Sequence, residues 1–527
     1  MDIRAQGPPA EGPPGQFNIG WECCDRWVEN GYGEQVAVRF GDQCLSFSEL
    51  RDLSNRIGNA LLSCGLGRGE RFLIRLPHIA EFYATVLAGL KIGSVPIPAP
   101  MLFRERELER VLTAADVRLV VTDDTLADPI RSIRAKIPTL RHILSVGKPG
   151  PDEVSFEEVV ARASPSLIHC RTGINDPAFV LFTSGTTGQP TGIAHAHRAF
   201  NIARGNPCGR WAMDLQPDDV VFQPHDLAFS YSFGCGFLFP FHCGASVVAS
   251  RERVPPEKVF EWIEKFKVTI FVSVPTMYRA LLAVDGAEKR FDLSSLRRCI
   301  SAGEPLSPRT YFEWKKRIGI EILEHIGQAE LQMFCANVPQ IGIKPGSLGK
   351  PLPGYRVAVL DEEGRECVRQ VGHLVVGEDN PALFYEYVRM PEKWRETHRN
   401  GWYYTGDLAM VDGEGYFWYV SRADDLIKSR GYLISPREVE ETLIDHPAVR
   451  EVGVVGIRDA AMGQAVKAFV VLQSDHSPSK GLARDLQQYV KSRIAPYKAP
   501  KEIEFVHALP KTATGKILRR DLRLRSD

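Results

Sequence analysis

Apolar and polar positions in the first quarter of the chain follow two alternating periods. Val36–Phe40 reads as a strand, and Ser46 and Glu49 stand as a capping box ahead of a helix. Leu50, Leu53, Ile57 and Leu61 then recur at helical spacing, and Gly65 and Gly67 close the element. The pattern continues with a strand over Arg71–Leu76, a helix from Ile79 to Lys91 and a short strand ending in Pro96-Ile97-Pro98. A charged helix over Arg104–Ala114 and a strand over Leu119–Thr122 follow. This alternation predicts an α/β fold wound by right-handed crossovers, with ligands gathered at the carboxyl ends of its strands. Further strands are predicted at Ser246–Ala249, Thr269–Val274 and Arg297–Ser301, with a helix opening at Pro275.

From 346 to 420 the texture shifts to short strands separated by turns such as Asp361-Glu362-Glu363-Gly364 and Gly413-Glu414-Gly415, which predicts a β-rich subdomain. Beyond it, Ser435-Pro436-Arg437-Glu438 reads as a second capping box, starting a helix with Val439, Leu443 and Ile444. Strands over Val452–Ile457, Val466–Leu472 and Ile503–Val506, with a helix carrying Leu486, Tyr489, Val490 and Ile494, complete a compact α+β unit.

A chain of 527 residues is too long for one core, so two or more domains are expected. Its 65 basic residues balance 65 acidic ones, which argues against a nucleic-acid partner or an anionic membrane. The eleven cysteines include no CxxC pair, and the N-terminal stretch lacks the apolar core of a secretion signal. No apolar run reaches the roughly 18 residues of a membrane span. A cytoplasmic protein is the expectation, with residues 1–18, rich in Pro and Gly, a disordered tail.

The chemistry concentrates after the apolar run Phe179–Phe182, in Thr183-Ser184-Gly185-Thr186-Thr187-Gly188. Two glycines and four hydroxyls, without bulky side chains, suit a turn whose amides form an anion nest; a plain Ser/Thr/Gly loop is the alternative. No Gly-Lys-Ser/Thr ending follows, so it is not a Walker loop. His195-Ala196-His197 has no acidic or Cys companions to complete a metal site, and Cys235 and Cys243 read as buried apolar residues.

The hexamer resembles the phosphate loop of the adenylate-forming superfamily: acyl- and aryl-CoA synthetases, luciferases and peptide-synthetase adenylation domains. Where relatives carry a loop lysine, this chain has Gln189 and Thr191. Companion motifs extend the resemblance over nearly the whole chain. His325-Ile326-Gly327-Gln328-Ala329-Glu330 resembles the second core motif, which implies Glu330 as the Mg²⁺ ligand, and Glu324, just upstream, stands where relatives often place an Asp or Asn near the adenine amino group. Ser301-Ala302-Gly303-Glu304-Pro305 resembles the segment along the adenine, and Tyr403-Tyr404-Thr405-Gly406-Asp407 the motif whose aspartate accepts from the ribose hydroxyls. Ser421-Arg422-Ala423-Asp424-Asp425-Leu426-Ile427-Lys428 resembles the hinge motif, which implies Arg422 on the ribose and Asp424 as the hinge. Gly431 matches the glycine lining the pantetheine tunnel, and Lys516, in Thr514-Gly515-Lys516, the catalytic lysine.

The resemblance implies a large N-terminal domain of wound mixed sheets over 19–421, including the β-rich subdomain 346–420, and a mobile C-terminal domain over 422–527. It implies ATP, Mg²⁺ and coenzyme A as cofactors, with Thr186, Glu330 and Lys516 catalytic. His325, Ile326 and Gly327 join the nest in holding the nucleotide. Phe222 to Gly234 resembles the acid pocket of benzoate– and 2-aminobenzoate–CoA ligases, which implies a small aromatic acid bound by His225, Ala228, Phe229, Tyr231, Ser232, Phe233 and Gly327. Phe229, Tyr231 and Phe233 recur with period two, as on one face of an extended segment. Transfer of the acyl group to a carrier protein's phosphopantetheine, and a nucleotide-binding pseudo-enzyme, are the alternatives. Monomer and homodimer both stay open.

Overall fold

A computed structural model describes residues 16–183, 190–430, 432–459, 462–511 and 517–525. They form two compact units, one comprising residues up to Tyr355 with Glu378–Glu396, the other Arg356–Gly377 with the chain from Thr397 onward.

The first unit holds three sheets. The largest has nine strands, in the order Lys350–Pro351, Gln332–Ala336, Ile322–Gln328, Arg298–Ser301, Ile270–Ser273, Val220–Phe222, Ser246–Ala249, Val36–Phe40 and Gln43–Ser46. Its six central strands run parallel, as the β/α alternation predicts, and its margins are antiparallel. A five-stranded parallel sheet is built from Val95–Pro98, Arg71–Arg75, Leu119–Asp123, His142–Val146 and Val154–Ser155. Every residue of Leu119–Asp123 is buried, which is why that strand reads as a continuous apolar run rather than an alternating one. Helix Phe47–Ser63 begins at the predicted capping box, with Ser46 accepting from Glu49 N and Glu49 from Ser46 N.

Three expectations need correction. The strand before the hexamer, Pro177–Thr183, does not belong to a parallel sheet. It forms an antiparallel hairpin with Thr191–Ala196, register partners Thr183 and Thr191 flanking the connection. Glu386–Tyr387 adds a third strand, and Val180 and Phe182 sink into the core shared with Leu73, Val120, Leu108 and Leu112. Secondly, the chain is fixed before residue 19: Phe17 N donates to Thr172 O, and Asn18 Nδ2 to Leu90 O. Residues 1–15 lie outside the described residues. Thirdly, the β-rich stretch is divided. Val371–Gly377 pairs with Trp402–Val411 in the second unit, whereas Glu386–Tyr387 pairs with the hairpin of the first.

The second unit contains the sheet of Val357–Leu360, Val371–Gly377, Trp402–Val411, His398–Arg399 and Phe417–Arg422. Its other sheet is formed by Tyr432–Ile434, Ile427–Ser429, Gly463–Leu472, Val449–Asp459 and Glu502–Phe505. Val439, Leu443, Leu486 and Val490 bury their helices against this sheet, as their spacing requires. The second capping box does not form. Ser435 Oγ donates to Val420 O instead, and Glu438 pairs with Lys498 at 2.6 Å. Among the described residues no helix is long and apolar enough to cross a membrane.

Candidate active site

The central parallel strands end together, and register partners put Ser273, Ser301 and Glu324 in one row across three neighbouring strands. Residues paired in this way point to the same face. Two residues reach this row from the chain that follows Val220–Phe222. His225 Nε2 lies 2.8 Å from Ser273 Oγ, and Tyr231 Oη donates to Ser273 O at 3.2 Å. Burial pushes the His225 imidazole down to about 4, with Arg253 adding to the shift, so the ring is neutral and its two nitrogens can serve one as donor and one as acceptor.

The turn after Ser301 is held from both sides. Thr276 Oγ1 donates to the Glu304 carboxylate at 3.2 Å, and Leu306 N donates to Glu324 Oε1 at 2.8 Å. One oxygen of Glu324, expected near an adenine amino group, is thus spent on this turn. Gly303 has φ +91°, where a side chain is disfavoured, and Ala302 and Ser301 are buried. His325, expected at the nucleotide, is 2% exposed, and burial depresses its ring to about 3; it faces the core. Gly327 is the exposed position of that strand, and Ile326 is half-buried.

Glu330 sits on the turn between Ile322–Gln328 and Gln332–Ala336. Tyr387 Oη donates to Glu330 Oε1 at 3.0 Å, Phe384 N donates to Glu330 O, and His195 Nε2 lies 2.8 Å from Ala329 O. Tyr387 and His195 both belong to the hairpin sheet. The carboxylate and the strands flanking the hexamer therefore share one rigid support. His195 and His197 are buried, at about 3 and about 4 through desolvation, and no cluster of three or more potential metal ligands occurs among the described residues. Glu330 offers a hard oxygen donor. That fits Mg²⁺, which takes one or two protein carboxylates and completes its shell with phosphates and water.

Phe229, Tyr231 and Phe233 do not share a strand face. Ser230–Phe233 is helical and runs on through Gly234–Leu238 and Phe239–Cys243. The run of aromatics every second residue falls on different sides of that helix. Phe233 is fully buried, 5.0 Å from Phe179 and 5.4 Å from Phe237. Ser232 is also buried and accepts from Gln223 Nε2 at 2.7 Å, and Ala228 is 1% exposed. Phe229, Tyr231 and His225 stay half-buried. Cys235 and Cys243 are buried thiols whose pKa is pushed up by desolvation, to about 11 for Cys243, so neither is a nucleophile.

In the second unit Asp407 and Arg422 are register partners, joined by Arg422 Nη1 to Asp407 Oδ1 at 3.0 Å. Arg422 also donates to Thr405 O, and Thr405 Oγ1 accepts from Asp407 N. Gly406, at φ +75°, lies where a Cβ would come 2.6 Å from Arg422 Nη2, so glycine lets the guanidinium close on the aspartate. Burial opposes the Arg422 charge, but Asp407 outweighs it and holds the group above the usual arginine value. Asp424 is exposed within the short turn Ala423–Asp425, while Asp425 is tied to Arg523 at 2.6 Å. Lys511 bridges to Ile517, and Leu518 N donates to Pro510 O, so the chain on either side of 512–516 is pinned. Ser184, Gly185, Thr186, Thr187, Gly188, Gly431 and Lys516 lie outside the described residues; Thr183 is described and half-buried. Thr191, at one of the positions of the usual loop lysine, is 3% exposed.

Tyr387, Ser273, Thr276 and Gln332 escaped the sequence reading. Only folding brings them to the site, and no local pattern marks them.

Residues 24–387 match the family model of AMP-binding enzymes, and 438–516 that of the AMP-binding enzyme C-terminal domain. The mitochondrial acyl-coenzyme A synthetase ACSM3 of Rattus norvegicus is 36% identical over 97% of this chain and 90% of its own. The uncharacterized acyl–CoA ligase YtcI of Bacillus subtilis is 37% identical, covering 94% of each. Among solved structures, the anthranilate CoA ligase AuaEII in complex with anthranoyl-AMP superposes with TM-score 0.91 at 33% identity, covering 98% of both chains. A benzoate CoA ligase from Burkholderia xenovorans LB400 reaches 0.86 at 30% identity, over 96% of this chain and 100% of its own. The chain therefore belongs to the AMP-binding, adenylate-forming enzyme family, as an AMP-forming acid–coenzyme A ligase that uses ATP, Mg²⁺ and coenzyme A.

Proposed function

We propose that the acid activated by this ligase is a small aromatic carboxylate of the benzoate, hydroxybenzoate or anthranilate type, anthranilate foremost, and that coenzyme A itself is the acceptor. The observation that carries the reading is the convergence of half-buried His225 and Tyr231 on Ser273 at the carboxyl end of the central strands. A flat ring fits beside Phe229 and Tyr231, with neutral His225 and the Tyr231 hydroxyl available to a ring substituent. The likeness to the anthranilate and benzoate ligases supports this choice. Similarity to ACSM3 supports a wider acyl range, which makes the acid the point to test.

In the first half-reaction a carboxylate oxygen bonds to the α-phosphorus of ATP, the bond to the β-phosphate oxygen breaks, and pyrophosphate leaves with the electron pair. Bound Mg²⁺ supplies charge neutralisation on the phosphates. The chain's part is to aim donors. Glu330 offers its carboxylate to the metal, braced by Tyr387. Thr183 to Gly188, with Thr186 among them, and Lys516 contact the phosphates. Ser301 to Pro305 with Glu324, Ile326 and Gly327 flank the adenine, and Asp407 with Arg422 takes the ribose. In the second half the thiol loses its proton, sulfur bonds to the acyl carbon, and AMP departs with the carboxyl oxygen. Asp424 acts as the hinge that exchanges Lys516 for the Gly431 side, along which the pantetheine enters. All eleven cysteines are unpaired, which supports a reducing, cytoplasmic setting.

The test is pyrophosphate release with benzoate, the amino- and hydroxybenzoates, cinnamate, acetate and octanoate, followed by thioester detection with free coenzyme A. Highest kcat/KM for a benzoate-type acid supports the reading. Preference for octanoate, or thioester formation only with a carrier protein, refutes it.

A further inference from the structure

The turn that carries Glu330 closes on a residue that breaks a local rule. Gln332 has φ +62°, the left-handed region, although it has a full side chain and is 3% exposed. It follows the turn Ala329–Leu331, pairs with Gln328, and adjoins a register shift between Ile326 and Gly327. Glycine is the residue such a bulged hairpin position favours. A side chain retained at such a cost points to a use for that side chain.

The Gln332 carboxamide leaves its own hairpin. Its Nε2 donates to Ser230 O and, at 2.9 Å, to Ser230 Oγ. Ser230 is the first residue of the helix that presents Tyr231 toward Ser273. Two glycines make room for this crossing. A Cβ on Gly234, one turn into that helix, would lie 2.7 Å from Gln332 Nε2, and a Cβ on Gly327 would lie 2.5 Å from Gln332 O. One residue thus ties the Glu330 turn to the wall proposed for the acid.

We propose that Gln332 is a positioning residue for the acid: its carboxamide holds the Ser230–Phe233 helix at a fixed distance from the turn bearing Glu330. The acid carboxylate and the α-phosphorus are then presented in line. The inference rests on the proposed placement of the acid beside Tyr231 and of Mg²⁺ at Glu330. It assigns Gln332 no contact with substrate.

Gln332→Gly is the decisive variant, because glycine suits the left-handed backbone while the substitution removes the tie. Ser230→Ala, which deletes the hydroxyl acceptor and leaves the backbone one, is the second. The expected result for Gln332→Gly is an unchanged or raised melting temperature and an ATP KM within about twofold of wild type. Its kcat/KM for the preferred acid should fall about tenfold, with weaker discrimination among ring-substituted acids. Ser230→Ala should shift the acid parameters the same way by a smaller factor. Unchanged acid kinetics in Gln332→Gly overturn the inference, as does an equal rise in the KM of ATP and of acid. So does a lowered melting temperature in both variants without a change in acid preference. Should wild type release pyrophosphate with no carboxylic acid, the placement of the acid fails first and the inference falls with it. Wild-type turnover of aryl acids with an indifferent Gln332→Gly removes the inference alone.

Discussion

Asp407→Asn separates a structural role from a functional one at nearly constant volume. The Asp407 side chain is 8% exposed and accepts from Arg422 at 3.0 Å, while the Arg422 side chain is 33% exposed. Stranding a fully buried charge costs about 3–5 kcal/mol. Arg422 keeps solvent on a third of its surface and keeps its bond to Thr405 O, so the cost reduces to about 1–2 kcal/mol. The Arg422 group is held above its ordinary value, so its contribution is complete at any pH below that value. The difference between mutant and wild type should therefore stay level from about pH 6 to 9 as far as Arg422 is concerned. In the proposed role Asp407 also accepts from two ribose hydroxyls, and replacing a charged acceptor with a neutral one should raise the ATP KM about tenfold. Urea denaturation, with midpoint and slope compared, measures the first effect, and ATP–pyrophosphate exchange the second. A stability change below about 0.5 kcal/mol would refute the account of the ion pair. An unchanged ATP KM would refute the ribose assignment.

Four further expectations complete the set. Lys516→Ala should lower adenylation about 100-fold or more while thioester formation from supplied acyl-AMP survives; equal loss in both half-reactions counts against a hinge that exchanges two faces. Glu330→Gln should weaken Mg²⁺-dependent turnover and raise the magnesium concentration at half-maximal rate, and an unaltered magnesium titration removes its assignment. Phe233→Ala should cost about 3–5 kcal/mol of stability, because its ring fills a core against Phe179 and Phe237; a stable variant with altered acid choice would return it to the pocket. Burial holds His78 and His195 at about 3 and His197 at about 4, below the unfolded value, so stability is present above about pH 6.5 and is lost as pH falls toward those values. Unfolding near pH 5 should take up protons, and stability level from pH 7 to 5 would contradict the neutral, buried rings.

The alternation of periods two and 3.6 foretold the parallel sheets, because a strand or helix must turn its apolar side inward wherever it packs. The capping box at Ser46 and Glu49 was legible for a similar reason: its bonds lie within one turn of chain. The short runs around Glu330, Asp407 and Arg422 sufficed to point to the family, since each is a contiguous stretch of chain. The same local pattern at Ser435 failed, because Val420 and Lys498, distant in sequence, offered better partners to Ser435 and Glu438. Period two over Phe229–Phe233 misled as well. Burial against Phe179 and a helix running on to Cys243 override the preference of a five-residue stretch. That Tyr387 braces Glu330 and that Gln332 reaches Ser230 depends on contacts between residues 57 and 102 positions apart. Such contacts follow from which surfaces fit once the core closes, and no window of neighbouring residues encodes them.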